Sequence, residues 1–288
     1  MSVFSLTYPG ACDSHLHVFD AAYRAGSPVP EQAELAHYKQ VQQALGTTRA
    51  VIVQPRPYGT DNTVTLAAIA ALGISNARGI AVLHPDVSDA QLQALHAGGI
   101  RGVRFSLYTA AHAAVSFDMV EPLAHRIHSL GWHLQLHWTA DQILAHEALL
   151  RRLPCPLVFD HMARLPVRSF RQHKAFALVR ELLARGRAWV KLSGPYLCSE
   201  QSDIANSKAR YADVAPLAQA WVAEAAQRLV WGSDWPHTTE PHAPDEKVFL
   251  QLLYDWTGDD KLCRQILVDN PAHLYGFAPL PLSPSPSV

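Results

Sequence analysis

The feature that most constrains what this chain can fold into is a repeated alternation. Eight short apolar runs are each followed by a longer segment with helical spacing of its apolar residues. The runs are Ala11–Phe19, Ala50–Gln54, Gly79–His84, Ile100–Ser106, Trp132–Trp138, Leu157–His161, Ala188–Ser193 and Arg228–Asp234. The segments between them predict helices over Glu31–Leu45, Asn62–Leu72, Ser88–Ala97, Phe117–Leu130, Asp141–Arg152, Phe170–Arg185 and Ala209–Gln227. A final pair, Pro244–Trp256 and Asp259–Val268, follows the eighth run. Asp61 reads as an N-cap, and glycines at 98, 99 and 131 stop the third and fourth helices. Eight strand–helix units without an intervening linker predict a closed parallel (β/α)8 barrel, the TIM-barrel architecture. A doubly wound open sheet competes, but no Gly-rich phosphate fingerprint follows any run.

A prior of about 150 residues per domain would suggest two domains, yet α/β barrels reach about 250 residues as one. The expectation is one domain over residues 1–278, with the Pro- and Ser-rich stretch 279–288 as a disordered tail. With 24 Lys and Arg against 25 Asp and Glu, and no basic tract, the chain is not expected to bind nucleic acid. Cys12, Cys155, Cys198 and Cys263 have no metal-ligand spacing and read as reduced thiols. The N-terminus has no basic segment leading into an apolar stretch, and no window holds 18 uninterrupted apolar residues. A cytoplasmic protein with no membrane partner is therefore expected.

In such a barrel the active site lies where the strands end, so polar residues closing the apolar runs are the candidates. His15 and His17 are two apart, and strand alternation puts both imidazoles on one face. The later runs contribute Gln54 and Arg56, His84, Arg104 and Ser106, His137, His161 with Arg164, Ser193, and Asp234. Packing alone would seldom end so many strands in imidazole, guanidinium and carboxylate, and the pattern points to an enzyme. The bland readings are that the His15/His17 pair lies on a surface strand and that Arg104 and Arg164 make ordinary ion pairs. Val18 and Phe19 argue for burial of the first, and the bidentate geometry of arginine with carboxylates argues against the second. Alternation pairs His161 with Leu157 and Phe159 and turns Asp160 the other way, towards a helix. Lys191 alternates with Ser193 and receives no role; His237 reads equally well as a cap residue.

Asp13-Ser-His-Leu-His-Val-Phe19, Phe159-Asp-His-Met-Ala-Arg164, Val190-Lys-Leu-Ser193 and Trp231-Gly-Ser-Asp-Trp-Pro-His237 together resemble the amidohydrolase superfamily. More narrowly they are similar to its 2-pyrone-4,6-dicarboxylate lactonase branch, which also contains sugar-acid lactonases and sulfomuconolactone hydrolases. The likeness runs from about Pro9 to Tyr275. It implies a TIM barrel that opens a small acidic lactone by adding water. Asp234 would be the general base, with His15, His17 and His161 around the carbonyl and Arg104 and Arg164 on substrate carboxylates. The chain departs from that branch at Thr109-Ala110 and Tyr196-Leu197, where the pattern has arginines, and at His137, where it has tyrosine. Arg56 is additional and stands in for one lost charge, so the number of substrate carboxylates stays open.

Superfamily members with a metal use the two strand-1 histidines, histidines on strands 5 and 6, and the strand-8 aspartate, with a strand-4 lysine or glutamate bridging two ions. Strand 4 here offers Arg104 and Ser106 instead. The resemblance therefore implies either no required metal, as in the lactonase branch, or one Zn2+ or Mn2+ on His15, His17, His137 and Asp234. The competing readings are a metal-dependent decarboxylase of related barrel type and a binding protein on an inactive barrel.

Overall fold

Each apolar run overlaps a strand in the computed structural model, which describes residues 8–20, 22–23, 30–109, 111, 113–201, 211–240 and 244–279. The strands are β1 (Cys12–Leu16), β2 (Arg49–Val53), β3 (Ala77–Ala81), β4 (Ile100–Ser106), β5 (His133–His137), β6 (Leu157–Phe159), β7 (Ala188–Leu192) and β8 (Leu229–Trp231). All neighbours pair parallel in the order β1 to β8. The ring is completed by backbone bonds beyond the end of β8: Asp234 N–H donates to His15 O (2.8 Å) and His17 N–H donates to Trp235 O (2.8 Å). The predicted (β/α)8 barrel is the observed one. Among the described residues no helix is long and apolar enough to cross a membrane.

Local chemistry sets several of the helix starts in the outer layer. The helix Asp89–Ala97 starts with a capping box between Ser88 and Gln91, and Ala140–Ala145 starts with one between Thr139 and Gln142. Asp61 Oδ1 accepts from Thr63 N–H at 3.0 Å and so secures the start of Thr63–Leu72. The predicted helix 141–152 is broken at His146, whose φ of −109° separates Ala140–Ala145 from Glu147–Arg152. At the C-terminal end a π-helical turn, Gln265–Asp269, leads into a further helix, Asn270–Tyr275, that the spacing did not reveal. Residues 280–288, most of the expected tail, lie outside the described residues.

Two departures affect the barrel interior. β3 begins two residues before the apolar run, because Arg78 is buried and its guanidinium donates to Tyr275 O and Gly276 O while lying over the Phe277 ring. Val82 then leaves the sheet, its N–H bonded to Asn62 Oδ1. In β1 the register opposes Cys12 to Arg49 and Asp13 to Ala50, but Leu16 to Ile52, so an extra residue is accommodated around Ser14–His15. The bulge turns Asp13 outwards, where it accepts from Tyr38 Oη and from Ser233, and turns His15 inwards.

Candidate active site

Barrel closure is what assembles the site. The hydrogen bonds that close the ring flank Asp234 with the backbones of His15 and His17, and its side chain turns back into the barrel with φ +63°. Gly232 allows this approach, since a Cβ there would lie 2.5 Å from His15 Cβ and 2.6 Å from its nitrogen. The Asp234 Oδ1 atom then stands 3.4 Å from His15 Nε2 and 3.7 Å from His17 Nε2. Its Oδ2 accepts from Tyr196 Oη at 2.6 Å and lies 3.9 Å from His161 Nδ1.

These groups open onto a cavity of about 450 Å³ at the C-terminal ends of the strands. His17, His137, His161 and Asp234 line it, as do the three arginines 56, 104 and 164; His15 lies beneath the floor. Arg56 is held by Thr109 O at 2.7 Å, and the Arg164 guanidinium lies 4.0 Å over the Tyr108 ring, which in turn stacks on His137. Among the described residues no carboxylate pairs with Arg56 or Arg164, so the cavity presents uncompensated positive charge.

Not every strand-end residue joins the site. Gln54 braces the following loop by donating to Gly59 O and Asp61 O and accepting from Thr65 Oγ1. His84 bonds Ala114 O, and His237 bonds Glu246 at the start of the helix Glu246–Thr257.

The phase expected for β6 is wrong. Val158 packs inside the barrel with Val51, Ile80 and Val230, while Leu157 and Phe159 face the helices, so Asp160 points inwards rather than to a helix. There its Oδ2 accepts from Arg104 Nε (3.1 Å) and Gln135 Nε2 (3.2 Å). Three consecutive apolar residues carry no period from which the phase could be read. His161 reaches the cavity only because residues 161–164 form a left-handed turn with φ of 49°, 55°, 62° and 49°. Such a conformation costs roughly 1–2 kcal/mol per residue. Cys198 Sγ and Trp221 Nε1, bonded to His161 O and Met162 O, help to hold it.

Beneath the floor lies Lys191, buried, donating to Ser14 O and Gln135 Oε1 at 2.8 Å each. Gln135 and Lys191 had a sequence signal: each is a polar residue two positions before a strand-end group, His137 and Ser193, inside an otherwise mostly apolar run. Tyr196 had none beyond its place in a departure from the family pattern.

Burial dominates the electrostatics. It raises the Asp234 carboxyl to about 6 against the opposing Tyr196 hydrogen bond, and lowers His17 to about 3. Burial, reinforced by Lys191 for His15 and by neighbouring cationic groups for His137 and His161, keeps these three rings well below the usual histidine range. Burial alone would raise Asp160, but the Arg104 guanidinium, bonded to its Oδ2, and the Lys191 ammonium outweigh it and hold that carboxyl well below its usual value.

Tautomers follow from the partners. Val53 O can only accept, so His17 Nδ1, 2.8 Å away, is the protonated nitrogen and its Nε2 carries a lone pair. Arg104 Nη2 can only donate, so His137 Nδ1 accepts from it (3.5 Å) and from Ser106 Oγ (3.1 Å), leaving Nε2–H buried without a protein partner.

His15, His17 and Asp234 each offer one ligand atom, all within 4.8 Å of one another, and His15 Nε2 has no hydrogen-bond partner. Two imidazoles and a carboxylate fit a single divalent ion. His137, placed in the ligand set on sequence grounds, belongs to no such group among the described residues, because its lone pair is engaged by Ser106 and Arg104. A second group, His15, Asp160 and His161, is poorly suited to a cation, since Asp160 already serves Arg104 and lies 3.9 Å from the Lys191 ammonium.

A barrel of this order with paired strand-1 histidines facing a strand-8 aspartate defines a hydrolase-type site of the amidohydrolase class. The chain belongs to the amidohydrolase family, whose pattern it matches over residues 12–277. It is 33% identical over 281 residues to a 2-pyrone-4,6-dicarboxylate hydrolase of Comamonas testosteroni, covering 92% of this chain and 90% of that protein. It is 32% identical to a 4-sulfomuconolactone hydrolase of Rhizobium radiobacter, covering 93% and 90%. An apo crystal structure from Agrobacterium tumefaciens superposes with a TM-score of 0.83 at 27% identity, covering 96% of this chain and 99% of that one.

Proposed function

We propose that the chain hydrolyses a lactone of a small carboxylic acid. One observation carries the reading: the buried Asp234 carboxylate shares a cavity of about 450 Å³ with the guanidinium groups of Arg56, Arg104 and Arg164. The names of the two relatives, hydrolases of an acidic pyrone and of a sulfonated lactone, support the same substrate class.

Asp234 takes a proton from water as the water attacks the ring carbonyl; Tyr196 fixes the carboxylate through Oδ2. His137 Nε2–H donates to the oxyanion of the tetrahedral intermediate, and His161, whose Nδ1 lies 3.0 Å from Ser193 Oγ, supplies a second donor from Nε2. The ring C–O bond then breaks, and the proton held on Asp234 passes to the departing oxygen. Arg164 and Arg56 hold the acid group so that one carbonyl face meets the water. Were His15, His17 and Asp234 to hold a divalent ion, it would add polarisation of the carbonyl.

The reading is tested by incubating the protein with 2-pyrone-4,6-dicarboxylate, 4-sulfomuconolactone and uncharged lactones while following ring opening and CO2. Ring opening of acidic lactones without CO2 supports it; CO2 release, or binding without turnover, defeats it. Arg164→Ala is expected to raise KM for an acidic lactone about 10–100-fold, the equivalent of losing a charge-assisted contact of about 1.5–3 kcal/mol. An unchanged KM would remove Arg164 from substrate binding. Arg104→Ala is the poorer probe, because it also strands the buried Asp160 carboxylate.

Asp234 works as a base only when ionised, and its carboxyl is raised to about 6. In chelator-treated protein kcat/KM should therefore fall as pH drops through about 6. His17, at about 3, stays neutral across that window. An activity that stays flat down to pH 4.5 would contradict Asp234 as the base.

A further inference from the structure

Lys191 takes no part in the chemistry above, yet it touches the histidine that underlies it. Its ammonium is fully buried and has three N–H donors and no acceptor. Two donors serve Ser14 O and Gln135 Oε1, and the third meets His15 Nδ1 at 3.4 Å. Asp160 Oδ1 also stands 3.4 Å from that nitrogen, but it is left without a hydrogen-bond partner, so only the lysine contact has hydrogen-bond geometry.

His15 Nδ1 can serve one of these neighbours at a time. Accepting from Lys191 puts the ring proton on Nε2, which stands 3.4 Å from Asp234 Oδ1 on the side of that negative charge, though without hydrogen-bond geometry. Donating to Asp160 would instead aim an Nε2 lone pair at the Asp234 carboxylate and at the lone pair of His17 Nε2, an arrangement that needs a cation in the middle.

We propose that Lys191 is a positioning residue that fixes the His15 tautomer with its proton on Nε2, and so sets how readily the His15–His17–Asp234 group exchanges that proton for a divalent ion. Ion binding at His15 Nε2 requires the proton to move to Nδ1, where it would oppose a lysine N–H, and brings two like charges close in a buried region. Asp160 is the group that would receive the displaced proton as a hydrogen bond.

The proposal concerns the same residues as the hydrolase reading, but neither readout uses turnover, so the two can fail separately. In metal-free wild-type protein labelled with 15N-histidine, long-range 15N–1H correlation should show His15 protonated on Nε2, its signals being identified by their loss in His15→Gln. A His15 protonated on Nδ1 overturns the proposal. Lys191→Met, shown by circular dichroism to be folded, should bind Zn2+ at least about ten-fold more tightly than wild type in competition with a chromophoric chelator. Equal or weaker binding overturns it. Should that variant not fold, the wild-type tautomer decides alone.

Discussion

Asp234→Asn is expected to lower kcat for lactone opening by about 10²–10⁴-fold, the range in which a positioned general base contributes. The fold should survive. The amide oxygen still accepts from Tyr196 Oη, and the backbone bond from Asp234 N–H to His15 O is untouched. Folding raises this carboxyl from 3.8 to about 6, so stability is lost as pH rises through that interval, when the unfolded chain ionises first. An amide carries no such penalty, and at pH 7 the melting temperature of the variant should equal or exceed that of wild type. Turnover within ten-fold of wild type would remove Asp234 from the role of base, whereas a variant that melts early would show that the carboxylate holds the barrel together.

Gly232→Ala is expected to damage both stability and activity without altering any group that touches substrate. The added methyl carbon would lie 2.5 Å from His15 Cβ and 2.6 Å from its nitrogen, both parts of a strand that cannot swing away. Relief requires β8 and β1 to separate, at about 1–3 kcal/mol for an overpacked interior. Asp234 is attached to one strand and His15 and His17 to the other, so the same separation spoils the geometry of the proposed base. A misplacement near 1 Å is worth about 10²-fold in rate. Thermal unfolding and kcat measured together check the idea: a normal melting temperature with normal kcat would show that β8 has slack against β1.

Both results turn on closure of the ring, and closure marks the boundary of what was legible in the chain. The alternation of apolar runs and helical segments carried the barrel, because the two periods record which face of each element is buried. The strand ends carried most of the site: residues such as His17, His137 and Arg56 line the cavity because one end of a parallel barrel collects every strand terminus. Strand ends do not all serve the cavity. Gln54 and His84 stand at strand ends like the others, but backbone carbonyls nearby take their polar atoms into loop bracing.

What only the tertiary structure decided is the direction of side chains where the sequence has no period, and the partner of each buried charge. Leu157-Val-Phe159 is apolar throughout, so nothing local tells Asp160 to point at Arg104 and Gln135; contacts with strands far away in sequence do. The bulge around Ser14–His15 separates Asp13 from His15, which strict alternation would place together. Lys191 could be seen as a lone charge in an apolar strand, but its meaning depends on Ser14 and Gln135, 177 and 56 residues away. Local sequence specifies which elements form and which ends are polar, because those choices are made by burial and spacing. The pairing of charges inside the barrel is settled only when the ring closes, because a buried ion is tolerable solely beside partners that the fold brings to it.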